Sequence, residues 1–224
     1  RGHWQLAAII IAVFLLWTTP VMIPLKILVV FLHELSHAMT AVFTGGDIIS
    51  ISVSPAQGGE AWTRGGSRFL TLSAGYLGSL LIGLALLWVA LRTNLDRYVM
   101  AGLGIILLVI TALYMRDLFA ISFGAIGGIA LLVAARFLPI DVNDLILRVI
   151  GLTSMIYVPY DIFSDTIARS ALQSDARMLA EEFGGPTIMW GGMWLIMSLV
   201  LIGFTLRHLL GQATNLTFGT SRKR

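Results

Sequence analysis

Residues 27–43 read Ile27-Leu28-Val29-Val30-Phe31-Leu32-His33-Glu34-Leu35-Ser36-His37-Ala38-Met39-Thr40-Ala41-Val42-Phe43. The apolar run reaches back to residue 21, and a helix over 21–43 is long enough to cross a bilayer core. Inside it sit two imidazoles and a carboxylate. Such groups are expensive in lipid unless they are paired or functional.

The rest of the chain makes the membrane reading general. Of its 224 residues 57% are apolar and only 12% are charged, about half the charge of an ordinary soluble domain. A soluble fold could not hide that much apolar surface behind so few charges. Seven apolar stretches stand out, at 4–20, 21–43, 69–91, 98–115, 118–137, 145–160 and 187–206. Pro20 and Pro24 punctuate the first join, which reads as a helical hairpin or as one span plus a re-entrant piece. The expectation is an all-α polytopic membrane protein of about six to seven transmembrane helices, forming one membrane-embedded domain over 1–224.

Two polar segments interrupt this pattern. In 45–68, Ile49, Ile51 and Val53 alternate with Ser50, Ser52 and Ser54 between glycine pairs, which predicts a short β-hairpin-like insert after the second helix. The segment 162–186 is enriched in acid through Asp165, Asp175, Glu181 and Glu182, and Ser174 is a natural N-cap for a short helix ending at Gly184-Gly185. The tail 211–224 ends in Arg222-Lys223-Arg224, which suits anionic headgroups better than nucleic acid. No nucleic-acid partner is expected. The positive-inside rule slightly favours that tail on the cytosolic side, but the arginines divide almost evenly along the chain.

His33-Glu34-Leu35-Ser36-His37 is an H-E-x-x-H motif. Residues four apart share a helical face, so both imidazoles can reach one metal ion while Glu34 stands ready to take a proton from water. A mere hydrogen-bonding trio would explain neither the spacing nor the glutamate. A catalytic zinc takes three protein ligands and keeps one position open. With no cysteine, and with His3 and His208 at the two ends, the third ligand is expected to be an acid. The second and sixth stretches run in the same direction, so Asp161 emerges at a depth similar to the histidines. Asp165 lies one turn further and is the reserve, followed by Asp117. The expected set is one Zn2+ per chain on His33, His37 and Asp161, with Glu34 as general base.

Together, His33 to His37 within a span and the later Pro159-Tyr160-Asp161 resemble the site-2 protease, or M50, family of intramembrane zinc metallopeptidases. The strand-like insert resembles a compact M50B-like branch. So do Arg64-Gly65-Gly66 leading into Leu72-Ser73-Ala74-Gly75-Tyr76-Leu77-Gly78, Tyr160-Asp161-Ile162 with Asp165, and Ser174-Asp175-Ala176 before a Trp-bearing last span. The better-known members carry Asn-x-x-Pro-x-x-x-Leu-Asp-Gly, whose Asp binds zinc. Aligned on Asp161, this chain has Thr153, Ile156, Tyr160 and Ile162 at the other motif positions, and its Pro159 stands two residues before the Asp. The resemblance implies hydrolysis of membrane-protein substrates at or near the membrane boundary, with the active site toward the cytosol.

Two other classes stand beside that reading. A transporter would spread its acids and histidines along several spans, whereas here they concentrate in one motif. An idle scaffold subunit would keep the fold without using Glu34. For the protease, the strand carrying Ile49, Ile51 and Val53 offers an edge on which an unwound substrate could lie extended. Partners beyond the substrate and the lipid bilayer are not encoded in any motif. Among other features, Gly124 with Gly128, and Ser79 with Gly83, are small-residue pairs suited to close helix packing. Trp190 and Trp194 suit interfacial anchoring, Asp141 and Asp144 suit helix capping, and Arg148 either snorkels to the surface or pairs with an acid inside the bundle.

Overall fold

The computed structural model describes residues 3–169 and 173–210. Its element order is α1 (His3–Leu16), α2 (Ile23–Phe43), β1 (Asp47–Val53), β2 (Gly59–Arg64), α3 (Arg68–Arg92), α4 (Asp96–Tyr114), α5 (Leu118–Phe137), α6 (Ile140–Phe163), α7 (Asp175–Phe183) and α8 (Thr187–Leu210). Among the described residues six helices are long and apolar enough to cross a membrane, which makes this a multi-pass membrane protein. The first apolar stretch is not among them. It forms α1, 14 residues long, and stops short of a full span. The basic tail 211–224 lies outside the described residues.

The helices α3, α5 and α7 open on side-chain N-caps, Ser67, Asp117 and Ser174. Asp117 accepts the Ala120 N–H at 2.8 Å and opens α5 directly after the end of α4. A π-helical turn, Ser164–Ala168, continues α6 beyond its expected end. Small residues then set helix spacing. A Cβ on Gly124 would strike Thr111, one on Gly128 would meet Leu108 at 2.6 Å, and one on Gly83 would strike Ser154. Both small-residue pairs therefore serve close packing, of α5 on α4 and of α3 on α6.

Two surface readings are corrected, and the choice between two readings of Arg148 is decided. Arg148 does not snorkel. It is 0% exposed and pairs with Asp144, one turn back on α6, while its Nη2 donates to the Ala90 carbonyl of α3 at 3.4 Å. Asp144 is thus an ion-pair partner inside the bundle rather than an end cap. Trp194 is no interfacial anchor either. At 1% exposure it packs its ring against Tyr76, with centroids 5.4 Å apart.

The β1–β2 hairpin sits over the C-terminal half of α2. Its base closes where Gly46 meets the Arg64 carbonyl, at a spacing that would leave a Cβ only 2.8 Å away. Gly65 and Gly66 adopt positive φ values of 75° and 73°, which turn the chain back toward α3. The ladder pairs Ile48 with Thr63 and then Ser50 with Trp62, so Ile49 falls on a bulge. Ile51 and Val53 are buried, whereas Ile49 is 54% exposed. The expected single apolar face therefore begins only after the bulge.

Candidate metal centre

The helical repeat of α2 puts His33 and His37 on one face, and their Nε2 atoms lie 2.9 Å apart. The Nδ1 of His37 is 2.6 Å from the Thr71 carbonyl oxygen. A carbonyl only accepts, so that nitrogen carries a proton, and Nε2 faces the cluster, where it can offer a lone pair to a cation or, when protonated, donate to a carboxylate. The His33 ring stands nearly perpendicular to Tyr76, with centroids 4.6 Å apart.

The third group comes from α7. Ser174 caps this helix by accepting the Arg177 N–H at 3.3 Å, and Ala176 and Leu179 bury its apolar face. Phe69 packs edge-on against Phe183 at 5.4 Å, and Arg68 pairs with Glu182 at 3.0 Å. Docked in this way, α7 places Asp175 Oδ2 3.0 Å from His33 Nε2 and 3.1 Å from His37 Nε2. Burial pushes the Asp175 carboxyl up. The charge of His37 and the hydrogen bonds from both imidazoles outweigh it and hold the group well below the usual carboxylate range.

This donor set fits a metal ion. Two imidazole nitrogens and a carboxylate oxygen crowded at these distances require positive charge among them, whether protons or a cation. Space is reserved at the same point. A Cβ on Gly75 would lie 2.5 Å from His37 Nε2 and closer still to His33 Nε2, so only glycine leaves the cradle open. Three protein ligands also leave a coordination position for a reactant. The cluster opens into a cavity of about 910 Å3, lined by His33, Glu34, Tyr76, Asp161 and Asp175 together with the hairpin. Glu34 faces β2 closely enough that a Cβ on Gly59 would meet its Oε1 at 2.6 Å.

The motif residues His33, Glu34 and His37 come together as the sequence predicts. The acids divide differently. Asp161 lines the cavity but stands outside the donor trio. Asp165 accepts the Tyr76 hydroxyl at 2.7 Å and is held by Arg169 at 2.8 Å. Asp117 caps α5 and accepts the Ser52 hydroxyl at 2.7 Å. An acid at a span end is held at the depth of its own helix, whereas the carboxylate beside the imidazoles is that of Asp175, brought in by a short helix packed on α3 and α8. The Ser174 cap was the signal that could have found it, because it fixes Asp175 at the first turn of that helix.

The hairpin meets the cavity through its second strand. The cavity is bordered by Gly59, Glu60, Ala61 and Trp62 of β2. Residues of β1 face elsewhere. Ile51 and Val53 are packed inside, Ile49 is bulged outward, and Ser52 is tied to the α4–α5 corner through Asp117.

No curated protein and no solved structure matches the chain. The sequence model of the Peptidase M50B-like family does, over residues 6–205. That span runs from α1 almost to the end of α8 and takes in both α2 with its motif and the capped α7, so the chain belongs to the Peptidase M50B-like family.

Proposed function

We propose that this chain is an intramembrane zinc metalloprotease that hydrolyses peptide bonds of membrane-protein substrates at or near the membrane boundary. The observation that carries this reading is the convergence of His33, His37 and Asp175 at a glycine-lined cradle, with Glu34 on the same cavity. One zinc per chain is held by those three side chains. Asp161 then lines the cavity without ligating. Zinc bound there supplies Lewis acidity, which acidifies water and polarises a scissile carbonyl.

The protein's own groups do the rest. Glu34 takes the proton of the attacking water and returns it to the leaving amine. The Thr71 carbonyl fixes the tautomer of His37. A substrate helix hides its amides in its own hydrogen bonds and must unwind before attack. The outer edge of β2, from Gly59 to Trp62, borders the cavity and can hold the unwound segment by strand addition.

The test is cleavage of a membrane-protein substrate in liposomes by wild type and by Glu34→Gln. The variant should keep fold and zinc and lose turnover by roughly 10²–10⁴-fold, the usual contribution of a positioned acid–base group. Wild-type turnover in Glu34→Gln would sink the mechanism. An inactive wild type with full zinc would point to the scaffold reading instead.

A further inference from the structure

The two imidazoles of the metal centre are oriented by different means. His37 is fixed by a hydrogen bond from Nδ1 to the Thr71 carbonyl. That is the usual arrangement for a metal-ligating histidine, whose second nitrogen donates to a carbonyl or carboxylate. Among the described residues His33 has no such partner at Nδ1. What touches its ring instead is Tyr76, set at 81° to it.

Tyr76 is itself unusually constrained. It is 2% exposed, and Trp194 closes on it from α8 with centroids 5.4 Å apart. Its hydroxyl donates to Asp165 Oδ2 at 2.7 Å, and Arg169 holds the other oxygen of that carboxylate at 2.8 Å. Asp165 and Arg169 stand on and just beyond the π-helical turn that follows α6. Such turns re-aim side chains, and they recur at functional sites.

We infer that Tyr76 is the positioning residue for His33, doing by ring packing what the Thr71 carbonyl does for His37 by hydrogen bonding, with Asp165 as its anchor. The inference rests on the metal-site reading given above. It assigns to Asp165 an indirect role, exerted through the Tyr76 hydroxyl. A tyrosine held at both its ring and its hydroxyl leaves the His33 imidazole one orientation, the one that aims Nε2 at the cluster. Removing the hydroxyl loosens the anchor and keeps the ring. Removing the ring frees the imidazole.

Cobalt(II) provides the probe, because its visible absorption reports ligand geometry independently of turnover. Wild type, Tyr76→Phe, Tyr76→Leu, Asp165→Asn and Leu87→Ala are compared in detergent for cobalt spectrum, for cobalt affinity against a chelator, and for thermal midpoint. Leu87 is a fully buried α3 residue outside the cavity lining, and its variant controls for general destabilisation. Tyr76→Leu should bind cobalt about 10–100-fold more weakly, the range for residues that orient a metal ligand, and with an altered spectrum. Tyr76→Phe and Asp165→Asn should keep the wild-type spectrum and lose less affinity. A folded Tyr76→Leu with wild-type spectrum and affinity overturns the inference. So does an equal loss in Leu87→Ala at matched midpoint. If wild type itself binds no cobalt, the metal-site reading falls and this inference falls with it.

Discussion

Asp175 Oδ2 stands 3.0 Å from His33 Nε2, although 142 residues of chain separate them. The contact joins the second helix to a short helix outside the spans, and it completes the group of His33, His37 and Asp175 that could hold a metal ion.

Metal content should follow this contact. Asp175→Ala is expected to lose bound zinc, whereas Asp161→Ala and Asp165→Ala should retain it. Elemental analysis of the three purified variants checks this. Zinc retained in Asp175→Ala and lost in Asp161→Ala would move the ligand to α6.

Gly75→Ala should be as damaging to metal binding as loss of a ligand, since its methyl group would occupy the place where the two Nε2 atoms converge. Gly102→Ala on α4 is the control. Nothing lies within 4 Å of its Cβ position, and alanine there should be neutral or stabilising by about 0.5–1 kcal/mol. Parallel zinc and unfolding measurements separate the two; equal zinc in both variants would refute the cradle.

Arg148 carries stability rather than chemistry. Arg148→Met leaves Asp144 without its buried guanidinium partner and should cost roughly 3–5 kcal/mol, the usual penalty for breaking a buried pair from one side. Replacing both residues by apolar ones should recover part of that loss. Unfolding midpoints in detergent report the effect, while zinc per folded chain should stay at the wild-type level.

A proline scan over 60–63 tests the β2 edge. In a two-stranded ladder, alternate residues point their N–H toward the partner strand or away from it. Prolines at inward positions should weaken the hairpin. Those at outward positions should leave fold and zinc intact and reduce cleavage, since they remove only the donors available to substrate. Equal effects at every position, in variants that stay folded and metallated, would reduce the hairpin to a plug.

The helices and the motif were legible because both are periodic. Apolar runs of span length, H-E-x-x-H spacing and alternating strand residues are local patterns, and local patterns survive in sequence. Asp175 was legible only as the first-turn residue of a capped helix, because nothing in its own neighbourhood records that α7 packs on α3 and α8 and so reaches the imidazoles. Trp194 was misread as an interfacial anchor, and Arg148 was left between two alternatives, for a related reason. Their positions near span ends suit a surface role, and only the packing of α3 and α8 encloses them. Ile49 shows the limit of alternation itself, since a bulge shifts the register without any change in residue type.

The placement of Asp175 on α7 has a thermodynamic consequence. A nine-residue helix is too short to persist alone in water, so α7 owes its form to docking. When one ligand of a cation belongs to a docked element, docking and cation binding become linked equilibria, each strengthening the other by the same free energy. With a cation held as proposed, loading the site would fasten α7, and detaching α7 would release the ion. The wall of the cavity and the occupant of the site form one reversible latch.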